Sequence, residues 1–180
     1  PATGKVSRFS TADGLTEGFA VNSAAAGADG VLYFGGVKGM TGVHPQAVKR
    51  ISVAPRVAIT DVSVFNRSLA AGADAAGAGV KLAGTVTAPT AITLSVQESV
   101  FALEFSSLHY TDPARNSYAH RLRGFDRDWV LTDANHRTAT YTNLDPGTYV
   151  FEVKAANEQG IWSEQPARVT INILPPWWQT

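Results

Sequence analysis

Tyr141-Thr-Asn-Leu-Asp-Pro-Gly-Thr-Tyr149 runs directly into Val150-Phe-Glu-Val-Lys-Ala-Ala-Asn157. The stretch reads as strand, tight turn, strand. Pro146-Gly147 supplies the turn, because Pro presets one backbone angle and Gly tolerates the conformation that follows. Beyond it, Tyr149, Phe151, Val153 and Ala155 alternate with Val150, Glu152, Lys154 and Ala156, the period of a half-buried strand. A Leu, a Pro-Gly turn and a Tyr that opens a strand form the sequence pattern of a tyrosine corner. In that device the phenol bonds back to the upstream backbone and pins two sheets of a β-sandwich together. The pattern therefore predicts a sandwich over the C-terminal two-thirds of the chain, a class that binds, spaces or transmits.

Working outward, the 180 residues suffice for one sandwich and something smaller. The chain is 44% hydrophobic and 17% charged, so it can bury a core. Fifteen basic and fifteen acidic residues cancel, and nothing in that balance favours nucleic acid or an anionic membrane surface. There is no Cys, which excludes a disulfide framework and a thiolate metal site. No signal-peptide pattern opens the sequence, and no apolar run is long enough to span a bilayer. Any such segment is expected outside these residues.

Three zones are predicted. Residues 1–50 hold short β-like runs separated by glycines: Val6–Phe9, Phe19–Ala25, Val31–Phe34 and Met40–Val43. Residues 51–69 contain Pro55 and the run Val57–Phe65. There Val57 and Ile59 share one phase and Val62 and Val64 the other, so a bulge or a strand that changes sheets is expected near Thr60-Asp61. Residues 70–79 are Ala or Gly at nine of ten positions and read as a mobile loop. Strands are then expected at Ile92–Val96, Val100–Leu108, Ser117–Phe125, Thr138–Tyr141, Tyr149–Asn157 and Arg168–Leu174.

Residues 55–180 resemble the Tyr-rich Y_Y_Y domain that closes the sensor region of bacterial hybrid two-component regulators. The resemblance rests on Phe101-Ala-Leu-Glu-Phe105, His109-Tyr110, Tyr118-Ala-His-Arg-Leu-Arg-Gly-Phe-Asp126 and Trp129. It continues through Thr140-Tyr141, Pro146-Gly147-Thr-Tyr149, Ala155-Ala-Asn157, Gly160-Ile-Trp162-Ser163 and Pro175-Pro-Trp-Trp178. Residues 9–48 are similar to the last blade of the β-propeller that precedes such a domain, through Asp13-Gly-Leu15, Asp29-Gly30, Leu32-Tyr-Phe-Gly35, Gly39 and His44-Pro45. The resemblance implies an all-β chain, a residual propeller blade at 1–50 followed by an immunoglobulin- or fibronectin-III-like β-sandwich at 51–180 that ends at a juxtamembrane segment. It implies a periplasmic location, on the extracytoplasmic side of an inner-membrane histidine kinase. The propeller would read the signal, an oligosaccharide in many relatives, and the sandwich would relay it to a membrane helix. A single blade lacks the neighbours from which a propeller is built. The implied partners are thus the missing blades in cis, a second copy of the chain and the membrane through a following helix, with no nucleic acid for this fragment.

Four tyrosines, Tyr110, Tyr118, Tyr141 and Tyr149, are expected as core and corner residues rather than ligand platforms. Trp129 is expected to cap the core below a turn, and Trp162 to pack across the end of a sheet. His109 and His120 read as half-buried imidazoles. His44 and His136 lie in loops without the spacing of a zinc site, so neither metal nor cofactor is expected. Arg121, Arg123, Arg127 and Arg137, interleaved with Asp126, Asp128 and Asp133, form a basic cluster whose first reading is a mixed solvated face and whose second is a site for an anionic sugar or a partner. Asp126 and Asp128, two residues apart, need not face a shared glycosidic cleft and have no second carboxylate cluster beside them, and no nucleophile elbow, phosphate loop or HExxH motif occurs. No catalytic residue is assigned. Pro175-Pro176 ends the last strand, since Pro cannot donate to a ladder, and Trp177-Trp178 suits a water–lipid boundary or, alternatively, packing on the base of the domain.

The resulting expectation is a non-catalytic signal-relay module. The alternative is a carbohydrate-binding or spacer module of a secreted polysaccharide-degrading enzyme. Phe101, Leu103, Phe105, Leu122, Tyr149, Phe151, Val153, Val169, Ile171 and Ile173 are predicted to be buried between two antiparallel sheets, with Glu152, Lys154, Arg168 and Thr170 outward. The apolar runs of residues 1–50 predict self-association of a chain with one blade.

Overall fold

A computed structural model describes residues 14–15, 18–48, 53–71, 79–96 and 100–176. The expected strand Val6–Phe9 and the body of the Ala/Gly loop lie outside them, as do Trp177 and Trp178. The chain divides into two compact units, Pro1–Ser52 and Val53–Thr180.

The first unit contains an antiparallel sheet of β1 (Phe19–Ala26), β2 (Leu32–Gly36) and β3 (Gly39–Val43) in that order. Val31 is buried, and Phe19 packs edge-on against Phe34 at 5.8 Å. Phe19, Val21, Leu32, Val37 and Met40 nevertheless stay exposed. A three-stranded sheet of small residues has too little area to cover them.

The second unit is a sandwich of two sheets. One has four strands in the order β11 (Thr138–Thr142), β8 (Val100–Ser107), β4 (Val57–Val64) and β5 (Arg67–Ser68). The other has six, in the order β10 (Val130–Asp133), β9 (Ser117–Arg123), β12 (Gly147–Ala156), β13 (Ala167–Leu174), β7 (Ala88–Ser95) and β6 (Lys81–Thr85). β13 and β7 run parallel, so the larger sheet is mixed where two antiparallel sheets were expected. Alternation along a strand reports which face is buried, not the direction of its neighbour.

The expected phase switch is a bulge. The β4–β8 register shifts between Ile59 and Asp61. Asp61 Oδ1 accepts from the Val62 N–H at 2.8 Å and the Ser68 hydroxyl at 2.7 Å, which holds the extra residue in place. β4 ends at Val64, and Phe65-Asn66 turns the chain with φ of 48° and 60°. Both angles are left-handed, as a two-residue type I′ hairpin requires.

The inward residues of both sheets form one core. Phe105 is fully buried and contacts the rings of Tyr118, His120 and Phe151 at 5.5, 5.6 and 6.2 Å. Of the ten residues expected between the two sheets, all are buried except Tyr149, which is half-buried at the corner. Glu152 departs from expectation more sharply: it takes the outward phase, as its neighbours Phe151 and Val153 require, yet is only 1% exposed.

The pairing also fixes where the chain enters and leaves. The start of β4 lies opposite the end of β8, and the start of β9 opposite the end of β12. The Asn157 amide donates to the Val53 carbonyl at 3.3 Å, tying the incoming chain to this pole. The start of β12 meets the end of β13 at the other pole, where Leu174 passes into Pro175.

Candidate functional site

The outer face of the six-stranded sheet gathers the chemistry that the core leaves out. Glu152 sits in the middle of β12, with Arg121 of β9 on one side and Arg168 of β13 on the other. Arg121 donates to Glu152 Oε2 through Nε at 2.8 Å and lies 2.7 Å away through Nη2. Arg168 Nε donates to Oε1 at 2.9 Å, and Arg123 Nη1 lies 3.9 Å from the same oxygen. Three guanidiniums thus roof one carboxylate, which explains a buried Glu on an outward position. Burial by itself pushes the Glu152 carboxyl up. The hydrogen bond and charge of Arg121, with the charges of Arg168 and Arg123, outweigh it and hold the group below its ordinary value.

Beside this cluster runs a ladder of alternating cations and indoles. The Arg121 guanidinium and the Lys154 ammonium each lie 4.5 Å from the Trp129 ring, and Lys154 lies 4.8 Å from the Trp162 ring. Trp129 therefore lies on the outer face, not below a turn against the core. It comes from the turn before β10, and its ring is drawn over the sheet by two cations. Trp162 forms a β-bridge with Ala156 at the end of β12. A cleft of about 520 Å³ opens beside Trp162, lined also by Ser117, Tyr118, Leu131, Thr132, Asp133 and His136.

The four tyrosines are not equivalent. Tyr118 is buried, and its hydroxyl accepts the Ser107 N–H at 3.1 Å, joining the two sheets. Tyr141 is buried and donates to Asp126 Oδ2 at 3.0 Å, with His120 Nδ1 at 3.4 Å. Burial and the Asp126 charge push the Tyr141 phenol far above its ordinary value. Tyr149 donates to the Asp145 carbonyl at 3.0 Å. Tyr110 is 75% exposed, contrary to its expected place in the core. It follows the end of β8, in the loop that leads to β9.

The basic cluster is also redrawn. Arg121 and Arg123 join Arg168, which lies far away in sequence, whereas Arg137 reaches Ser106 at 3.4 Å and Arg127 stays exposed. Asp126 caps the Leu122 N–H at 2.6 Å as well as Tyr141, a structural use of its carboxylate. Pro175 is exposed and Pro176 half-buried. Among the described residues, no group of three or more His, Cys, Asp or Glu is placed to hold a metal. Sequence reasoning passed over Glu152 and Lys154. Their only signal is the like-phase placement of Arg121 and Arg168, visible once the β9–β12–β13 register is known.

Residues 109–174 match the family model of the Y_Y_Y domain. The chain is 29% identical over 179 residues to Histidine kinase P4 of Formosa agariphila, an alignment that covers 99% of this chain and 13% of that protein. The extracellular domain of the hybrid two component system BT3049 from B. thetaiotaomicron is similar over 93% of this chain and 22% of its own, with 24% identity and a TM-score of 0.69. That of BT4673 from B. thetaiotaomicron is similar over 83% of this chain and 19% of its own, with 23% identity and a TM-score of 0.60. The chain thus spans about an eighth of the kinase (13%) and about a fifth of the two solved extracellular domains (22% and 19%).

Proposed function

From the premise that this chain carries a Y_Y_Y domain, we propose that it is the extracytoplasmic relay of a two-component sensor histidine kinase, without chemistry of its own. The carrying observation is the path of the chain through the sandwich. It comes in at Val53–Arg56 and enters β4, an interior strand of the smaller sheet. It leaves at the opposite pole from β13, an interior strand of the larger sheet bonded to β12 and β7. A load on either end is therefore carried by paired neighbours and by the shared core, so the sandwich tilts as a body instead of yielding at an edge.

In this reading residues 1–50 are the last blade of a propeller, and neighbouring blades cover Phe19, Val21, Val37 and Met40. A second copy of the chain and a membrane helix complete the receiver, in the periplasm of an inner-membrane protein. An oligosaccharide bound by the full propeller is the signal. Pro175-Pro176 stiffens the exit, and Trp177-Trp178 sets its depth at the lipid boundary. Replacing Pro175-Pro176 with Gly-Gly in the full-length receptor should leave ligand affinity unchanged and abolish the ligand dependence of kinase activity. Signalling of normal amplitude in that receptor would overturn the stiff exit.

A further inference from the structure

We infer that the outer face of the six-stranded sheet holds a binding site for a doubly charged tetrahedral oxyanion, sulfate or phosphate, bridged between Arg123 and Arg168 above Glu152. The charges do not balance there. Arg121, Arg123 and Arg168 face Glu152, which is buried beneath them, with Lys154 beside them over the Trp129 ring; Asp133, on the same face of edge strand β10, pairs with His136 instead. Both oxygens of Glu152 are already engaged: Oε2 by Arg121, Oε1 by Arg168 with Arg123 beyond it. Holding guanidiniums this close costs repulsion that one anion only partly offsets.

The donors left over are arranged for a ligand. Arg168 spends only Nε on Glu152, and its terminal nitrogens have no partner among the described residues. Arg123 stands at 3.9 Å, too far for a hydrogen bond, so its own N–H groups stay available. The two side chains are 61% and 62% exposed, and both approach Glu152 Oε1. One fork is anchored on Glu152 Oε1 and the other stands 3.9 Å from the same atom, so both exposed side chains have N–H groups to offer a ligand. A tetrahedral oxyanion offers enough acceptor oxygens to take both forks at once, and its two charges offset most of the surplus. Chloride has no such geometry. Arg121 and Lys154 are held by the Trp129 ring, which keeps the rest of the face from collapsing over the site.

The test follows the arginine Nε–H resonances of the 180-residue chain by NMR during titration with sodium sulfate, with ionic strength held constant by sodium chloride. Saturable shifts of the Arg123 and Arg168 signals are expected. Arg168→Gln should bind about tenfold more weakly, the loss of one charge-assisted contact. Arg123→Gln, which breaks no hydrogen bond to Glu152, should weaken binding without disturbing the fold. Arg127→Gln, on an exposed residue outside the cluster, should bind as the parent does. A parallel titration with glucose 6-phosphate at about pH 7.5, where the ester also carries two charges, identifies the source: tighter binding of the ester assigns the site to an esterified ligand, and equal or weaker binding to the free ion. Shifts that are linear and equal for sulfate and chloride, or that persist unchanged in Arg123→Gln, would overturn the site.

Discussion

The Tyr149 hydroxyl donates to the Asp145 carbonyl, four residues upstream, at 3.0 Å. The bond closes the Pro146-Gly147 turn onto Tyr149, the third residue of β12, and the ring lies beside Gly124, just past the end of β9. Removing the hydroxyl in Tyr149→Phe should lower the unfolding free energy by about 1 kcal/mol, because the half-exposed carbonyl can regain water. Gly124→Ala should cost more, about 1–2 kcal/mol. Its φ is 96°, and an added Cβ would come within 3.1 Å of Tyr149 Cδ1. Urea midpoints of the two variants check the order; Tyr149→Phe at the parent midpoint would remove the corner as a stabilising device.

Glu152→Gln should cost about 2 kcal/mol at neutral pH, less than a fully buried ion pair because Arg123 and Arg168 are mostly solvated. The sign with pH follows from the lowered carboxyl. Its stabilisation is complete above the ordinary value of 4.5 and fades as pH falls from there through the folded-state value. The gap between parent and variant should therefore narrow on acidification. A constant gap down to about pH 3 would mean that charge is not what Glu152 contributes.

His120 gives a linkage of the same sign from a different cause, its neutral form being the one the fold favours. Burial among Phe105 and Phe151 holds its imidazole below the ordinary 6.5, against a smaller upward pull from Asp126. Above 6.5 both folded and unfolded chains carry it neutral and it adds no slope. As pH falls below 6.5 the unfolded chain takes up a proton first, so stability declines until the folded-state value is passed. Denaturation of the parent and of His120→Gln at about pH 7.5 and about pH 5.5 tests this. An equal decline in both would assign the slope to another group.

The Trp129–Lys154 contact at 4.5 Å should show a coupling of about 0.5–1 kcal/mol in a double-mutant cycle with Trp129→Leu and Lys154→Met. The indole emission of the Lys154 variant should also change, since Lys154 lies over two rings. Additive single effects would reduce the ladder to coincidence of packing.

What the sequence determined by itself is local. The alternation around Phe151 named the buried face, the Leu144-to-Tyr149 spacing named the corner, and the phase change at Thr60-Asp61 marked an irregularity that the β4–β8 register resolves as a bulge. Each follows from a periodicity of two or from the backbone needs of a turn, which a few adjacent residues express. Short strands with small residues, such as Lys81–Thr85 and Val130–Asp133, escaped because neither contains enough large apolar positions to show a period. Strand partnership and direction were decided only in three dimensions. β13 joins β7 in parallel, Trp129 lies over Arg121 and Lys154, and Arg168 meets Arg121 and Arg123 across Glu152. Residues 121, 152 and 168 share no local signal. The β9–β12–β13 register alone brings them to one spot, and the mutual attraction of their charges then turns an outward position into a buried one.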